Sequence, residues 1–519
     1  MTLRSLPPVR TLALAAVLAT GAFLGLAATA LASASQYSSF QDDRLFVNSG
    51  SAVQAQALDT VASLGPHTIH SVVNWRNLAP SPDSTHKPSF NDSSPAGYAP
   101  GKWAIYDSLV RGAVLRGLRV HFSPAGPAPQ WALKCSKTEL RKYGKTKGTC
   151  KPDPKLYANF VKAIGTRYNG SYQAEDGSGV LPRVSIWSIW NEPDLPSWLS
   201  PAIEKKGRTR TDVGAMVYRN LAYAALGGFK ASGHTVPKDT ILLGETAPIG
   251  LSGLNASPSE FYHGVFCQDT RGHKLRGKAA KALGCKGKLK GMAVSGIAHH
   301  PYTRGAFSNL LARQKSGNAT IAYIPRLLRI LKDGVRAHVL SRSAASSLYW
   351  TEFGVASSPP SSSGKGVSLA TQAEWINQFQ FISYLSKNVK EIVQFQLDDD
   401  AGLVTSAKTT FQTGLRFAST AQKPAFGAYR VPLYVVDNGS SLTVWGGVHA
   451  FNIGGQQVQL LNGGNVVKTI TLGNNGYFLT KLPKRGGTWQ LKWTRSDGTV
   501  FTSRTAKAVK KKKAIASRH

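Results

Sequence analysis

From residue 36 to about residue 430, short apolar runs alternate with longer segments in which apolar positions recur every three or four residues. The short runs predict strands at Thr68–Asn74, Leu118–Ser123, Val184–Trp190, Thr240–Gly244, Gly296–His300, Ser347–Thr351 and Ile392–Leu397, with a first strand near Phe40–Val47. Between them, Ala104–Arg116, Lys155–Tyr168, Asp212–Ala231 and Leu369–Ser386 carry the helical period. Strand and helix in strict alternation require a parallel sheet with helices on its faces. Eight such strands predict an α/β fold, a closed (β/α)8 TIM barrel over residues 36–430. An open doubly wound sheet is the competing arrangement. It usually carries a Gly-rich nucleotide loop after its first strand, and none occurs here.

After Arg430-Val431-Pro432 the period changes from helical to alternating. Leu442–Val448, Gln457–Leu461, Val466–Leu472, Tyr477–Leu482 and Thr488–Thr494 read as short strands. Asn462-Gly463, Asn475-Gly476 and Asp497-Gly498 supply the turns between and after them. This predicts a small β-sandwich over 431–504, too small for a comfortable core of its own and therefore docked on the barrel. The tail, 505–519, is basic and poor in apolar residues, and is expected to be disordered. At the other end, Arg4 and Arg10 precede an uncharged apolar run from Thr11 to Leu31, followed by the small-x-small triplets Ala30-Leu31-Ala32 and Ala32-Ser33-Ala34. Residues 1–34 thus read as a secretory signal, with an uncleaved anchor as the lesser alternative and no later membrane span. A secreted or wall-associated protein is expected.

The cysteines agree with export. There are four, in two pairs that each flank a long basic loop, and local pairing, Cys135–Cys150 with Cys267–Cys285, is preferred among the three possible connectivities. Metal binding is not expected, because no Cys or His spacing suits a metal site. Apolar residues make up 42% and charged residues 17%, as in an ordinary globular chain. The formal net charge of +36 is less ordinary. Its lysines and arginines are scattered, apart from the run Lys510–Lys513, and no nucleic-acid-binding motif accompanies them. That leaves two readings: a basic surface without a partner, or attraction to an anionic cell-wall polymer.

Active sites of TIM barrels gather where strands end. The fourth strand ends in Trp190-Asn191-Glu192-Pro193 and the seventh in Thr351-Glu352-Phe353-Gly354. Each delivers one carboxylate to the barrel mouth, and a pair of carboxylates is what glycoside hydrolysis needs. The two motifs in this strand order resemble clan A of the glycoside hydrolases, most nearly the β-xylosidase and α-L-iduronidase family and the large cellulase family. The resemblance covers the barrel. It implies that Glu192 is the general acid/base, that Asn191 holds the sugar 2-hydroxyl and that Glu352 is the nucleophile of a retaining, cofactor-free hydrolase acting on a β-linked carbohydrate. In His299-His300-Pro301-Tyr302, His300 and Tyr302 are similar to the pair that the clan places beside its nucleophile, where a tyrosyl hydroxyl helps keep the carboxylate ionised. Gly126-Pro127-Ala128-Pro129-Gln130-Trp131-Ala132 resembles the clan's P-x-W loop, and Asn74-Trp75 has clan-like spacing.

There are departures. The clan often has an arginine five residues before the strand-two tryptophan, where this chain has His70, and strand eight offers Gln394, Gln396, Asp398 and Asp399 in place of a tryptophan. Gln396 and Asp398 are expected to contact sugar hydroxyls, with helix capping as the alternative for the aspartates. Glu245, ending strand five, is expected either to touch substrate or to form a structural ion pair. His121 is expected in the core. Trp75, Trp131 and Trp198 are candidate sugar platforms, with aromatic packing as the alternative. Glu192 is expected to be walled by Trp187 or Trp190 and so to hold its proton. Beyond hydrolysis, the same residues would serve a transglycosylase, and a retired barrel or a wall-binding structural protein would keep the fold without turnover.

Overall fold

A computed structural model describes residues 35–516, apart from 208, 252, 288, 361–364, 402–410 and 450–454. The expected signal segment lies outside the described residues. Eight parallel strands form a closed barrel: β1 (Tyr37–Gln41), β2 (Thr68–Asn74), β3 (Arg119–Ala125), β4 (Ile186–Ile189), β5 (Thr240–Thr246), β6 (Gly296–His299), β7 (Leu348–Trp350) and β8 (Val389–Phe395). Each pairs with its sequence neighbours, and β8 closes the ring on β1 with Phe40 opposite Gln394. The fold is a TIM barrel followed by a β-sandwich. The first strand, expected near Phe40–Val47, begins and ends sooner, at Tyr37–Gln41. Asp42 accepts from Leu45 N at 3.3 Å, capping a short helix at Asp43–Phe46 that turns the chain out of the sheet.

The main outer helices are α1 (Ser51–Leu64), α2 (Pro100–Leu115), α3 (Pro154–Arg167), α4 (Val213–Ala231), α5 (Pro258–Val265), α6 (Ile324–Arg336), α7 (Leu369–Tyr384) and α8 (Pro424–Arg430). Local chemistry sets several starts. Asp153 caps α3 ahead of Pro154, Asp212 caps α4, and Ser257 with Glu260 makes a capping box at α5. In α6 the buried positions Ile324, Leu327, Ile330, Leu331 and Gly334 keep one stripe toward the sheet. Trp75 and Trp187 pack in the layer between strands and helices: Trp75 stacks on Phe160 of α3, and Trp187 meets Phe229 of α4. The lumen is different. At one level it holds Tyr37, Leu242, Ala298 and Tyr349, and elsewhere buried polar side chains, among them Ser39, His70, His121, Ser188 and Glu391.

The sandwich has two four-stranded sheets. One combines β9 (Leu433–Asp437), β10 (Ser441–Gly447), β13 (Tyr477–Pro483) and β16 (Val509–Lys510); the other combines β11 (Gln457–Asn462), β12 (Asn465–Thr471), β14 (Trp489–Thr494) and β15 (Val500–Thr502). It docks through aromatic packing, with Phe381 and Tyr384 of α7 against Tyr434, Trp445 and Tyr477.

The expectation of a disordered tail is corrected. Ala506 exchanges backbone hydrogen bonds with Trp489, β16 pairs parallel to β9, and a short helix α9 (Lys511–Ala514) follows. Ala514 is fully buried against the barrel–sandwich junction, where Gln378 Nε2 donates to the carbonyls of Lys513 and Ala514 at 2.8 and 3.1 Å. Composition suggested disorder because so few apolar residues were on offer, but a preformed edge strand and a pocket for one methyl group need few. Both expected disulfides, Cys135–Cys150 and Cys267–Cys285, are present.

Candidate active site

Three strand ends converge. Glu192 follows β4, His300 and Tyr302 follow β6, and Glu352 follows β7. The buried imidazole of His300 lies between the carboxylates, its Nδ1 3.1 Å from Glu192 Oε1 and 3.5 Å from Glu352 Oε2. One carboxylate oxygen from each glutamate and a ring nitrogen of His300 all fall within 4.8 Å of one another. Tyr302 donates to Glu352 Oε2 at 3.3 Å. The glutamate side chains retain 18% and 13% exposure, so the pair is open to solvent while its histidine is not.

Backbone geometry at this end of the barrel is unusual. Trp190, Glu192 and Glu245 have φ of 68°, 37° and 65°, and non-glycine residues in that region carry strain that tends to collect at functional sites. At Glu245 the β5–β6 ladder slips its register, and a bulge of that kind re-aims a side chain.

The charges are mutually dependent. Burial pushes the Glu352 carboxyl up to about 7, against the pull of the His300 cation, and Glu192 adds to the rise. Burial would keep His300 neutral, but the two glutamates outweigh it and lift the imidazole to about 9. His300 is therefore held as a cation between the two carboxyl groups, and Tyr302 and His300 both favour the ionised form of Glu352.

Below this mouth runs a second layer of charge. His70 Nε2 is 3.0 Å from Glu245 Oε1, and its Nδ1 is 2.8 Å from Gln41 Oε1. His121 Nδ1 lies 3.3 Å from Glu391 Oε2, and its Nε2 2.8 Å from Ser188 Oγ. The two imidazoles pack at 4.4 Å between ring centres. Burial would raise Glu245, but His70, His300 and His121 overrule it and hold the carboxylate at about 2. With its amide oriented to satisfy both neighbours, Asn191 donates to Glu245 Oε2 at 3.1 Å and accepts from Trp198 Nε1 at 3.3 Å. Among the described residues, His70, His121 and Glu245 form the other set of potential ligand atoms within 4.8 Å, with His70 paired to Glu245.

Several sequence expectations change here. Glu245 does not line the mouth: it is fully buried and ion-paired, because the bulge turns it onto His70. Trp75 and Trp131 are core residues, 1% and 7% exposed, in edge-to-face contact with each other, so neither is a sugar platform. Trp198, beside Asn191, keeps partial exposure and is the better candidate. Asp398 is held in a two-point ion pair with Arg416 at 2.5 and 3.0 Å, and Asp399 is buried with Lys423 at 2.7 Å; neither points to a sugar. Gln396 is spent on Asp400 at 3.0 Å and lies buried. Trp187 does not wall Glu192, since it faces the helix layer, and Trp190 packs edge-on against Tyr157. His121 lies in the core as expected. Glu391 was missed. Its signal was an isolated acid inside the apolar strand Val389–Phe395, where a charge survives only if paired. Asp194 was also missed: it is buried and accepts from Ala247 N at 2.9 Å, tying the β4 loop to the β5 loop.

No family model and no curated protein matches the chain. Among solved structures it is similar to an FMN-binding beta-glucuronidase from Facaelibacterium prausnitzii L2-6, at 12% identity and TM-score 0.41 over 93% of this chain and 57% of that one. It is also similar to GH5_18 from Streptomyces cattleya in complex with GlcNAc, at 12% identity and TM-score 0.44 over 76% of this chain and 78% of that one. A family 1 b-glucosidase from Thermotoga maritima matches at 12% identity and TM-score 0.42 over 72% of this chain and 84% of that one. The chain thus spans little more than half of the first of these. Likeness at this level identifies no activity, which has to be argued from the site.

Proposed function

We propose that the chain is an exported retaining glycoside hydrolase of the clan A type, cleaving an O-glycosidic bond of a β-linked oligo- or polysaccharide. The observation that carries this reading is the Glu192–His300–Glu352 cluster at the barrel mouth, two part-exposed carboxylates with oxygens within 4.8 Å of each other. Retaining enzymes keep their carboxyl groups about 5–5.5 Å apart, whereas inverting ones leave roughly 6.5–9.5 Å for a water. Export is supported by two disulfides, which persist in oxidising compartments.

In this reading Glu192 gives its proton to the glycosidic oxygen as the C–O bond breaks. Glu352 attacks the anomeric carbon, forming a glycosyl ester. Glu192, now ionised, takes a proton from water, whose oxygen displaces Glu352 and releases the sugar with net retention. His300 and Tyr302 bias Glu352 toward its nucleophilic, ionised form.

The two roles are separable by rescue. In Glu352→Ala no glycosyl-enzyme forms, and turnover falls by several orders of magnitude. In Glu192→Ala a dinitrophenyl glycoside still glycosylates the enzyme, the intermediate accumulates, and azide restores turnover without a base. The azide product of Glu192→Ala is the β-anomer from a β-glycoside, and that of Glu352→Ala is the α-anomer, because azide enters from the vacated face. Equal configurations from both variants sink the role assignment. Absence of turnover across a panel of aryl glycosides and polysaccharides sinks the hydrolase reading in favour of a carbohydrate-binding barrel.

A further inference from the structure

Beyond the carboxylate pair, two hollows adjoin, sharing Gly250, Leu251, Lys315 and Asn318 in their walls. The first, of about 370 Å³, begins at Ile249 on the loop after β5 and at Arg304, two residues past Tyr302. The second, of about 530 Å³, continues to Arg210 and Glu260. Together they make one trough along the loops after β5 and β6, the second of which also carries His300 and Tyr302.

Its walls are fixed. Gly250 N donates to Asn318 Oδ1 at 3.0 Å, Ala319 N to Pro248 O at 2.9 Å and Ser259 N to Gly317 O at 3.1 Å. Arg326 clamps the carbonyls of Lys315 and Asn318 at 2.7 and 2.8 Å. A Cβ on Gly250 would lie 2.5 Å from Ser257 N, and one on Gly317 2.3 Å from Ser257 Oγ, so these close approaches require glycine.

The charge in the trough is one-sided. Glu260 is the one acid among the lining residues of the two hollows, and it is spent on Arg210 at 2.7 Å and on the α5 capping box. Arg304, Arg313 and Lys315 line the trough, are exposed, and have no carboxylate partner among the described residues. Beside them, Leu251 and Phe307 present apolar surface, 46% and 36% exposed. Three exposed cations next to apolar surface suit a ligand with apolar faces and repeated negative charge.

Resting on the hydrolase reading, we infer that this trough binds the running chain of an anionic polysaccharide, with a carboxylate or phosphate on each repeat. A neutral glycan would leave the three cations solvated and gain nothing from them. An anionic one replaces that water with charge-assisted hydrogen bonds, and the arginine forks match planar carboxylates or phosphates.

The test uses the full chain and three β-linked polysaccharides: carboxymethyl cellulose, cellulose phosphate and neutral xylan. The parent should bind at least one of the two anionic polymers in a salt-sensitive way and prefer it to xylan, and which of the two it prefers identifies the anion. Arg313→Glu with Lys315→Glu should weaken that binding about tenfold at low salt, and raise KM for the polymer with little change in kcat. Lys468→Glu with Lys481→Glu, an equal charge change on the distant sandwich, should leave binding within about twofold. Equal weakening by both double variants would show that bulk charge alone is responsible and overturn the inference, as would unchanged binding in the trough variant or equal binding of xylan. Binding is read without turnover, so a parent that binds but hydrolyses nothing counts against the hydrolase reading and not against the trough.

Discussion

His70 is buried among carboxyl groups, and its partners decide whether the imidazole carries charge. Burial opposes its charge, yet Glu245, Glu391 and Asp43 raise it, so His70 and Glu245 form an ion pair at zero exposure. Such a pair contributes little against an apolar alternative, but breaking it is costly. Glu245→Gln strands His70 and should lower stability by about 3–5 kcal/mol in denaturant unfolding, whereas a loss under about 1 kcal/mol would show that His70 is neutral in the parent. The sign with pH follows from both partners. Glu245, held at about 2, stabilises fully above the ordinary carboxylate value of about 4.3 and loses that contribution as pH falls toward 2. His70, raised, stabilises fully below the ordinary value of about 6.5 and loses its contribution as pH rises through its higher native value. His300 permits a kinetic test. Its cation pulls Glu352 down against burial, so His300→Gln should raise the Glu352 pKa above about 7 and move the acidic limb of kcat/KM to higher pH. An unmoved limb would separate His300 from the nucleophile.

At the scale of elements, the apolar period located the secondary structure well where the pattern was long. Thr68–Asn74 is the strand its short apolar run predicts, and α3 begins at Pro154, one residue before the expected Lys155. Errors gather at ends and in the tail. A first strand is expected near Phe40–Val47, but the strand is Tyr37–Gln41 and the Asp42 cap starts a helix in the rest. The last described residues gain their structure from a site made by others, with β16 on the edge of β9 and Ala514 against α7 and the first sandwich sheet. Ala514→Asp puts an unpaired carboxylate in that junction and should cost at least about 2 kcal/mol, read as an earlier unfolding transition. An unchanged transition would mean that the tail contributes nothing to docking.

For the whole molecule, the order of apolar runs determined the barrel, because alternating strands and helices have few ways to bury both faces of a parallel sheet. It also placed Glu192 and Glu352 at strand ends, since a charged residue that closes an apolar run lies where the strand leaves the core. Paired cysteines around two loops likewise marked the bridges that form. What every other position faces was decided by tertiary structure. Whether Trp75 meets sugar or Phe160, whether Glu245 meets substrate or His70, and whether Asp398 is free or held by Arg416 depends on partners far away in the chain. The sequence shows which chemistry is available at each position, but the direction of a side chain follows from register, bulges and the packing of neighbouring strands. The +36 charge divides in the same way: its size is in the composition, while the grouping of Arg304, Arg313 and Lys315 along one trough exists only once the β5 and β6 loops are hydrogen-bonded together.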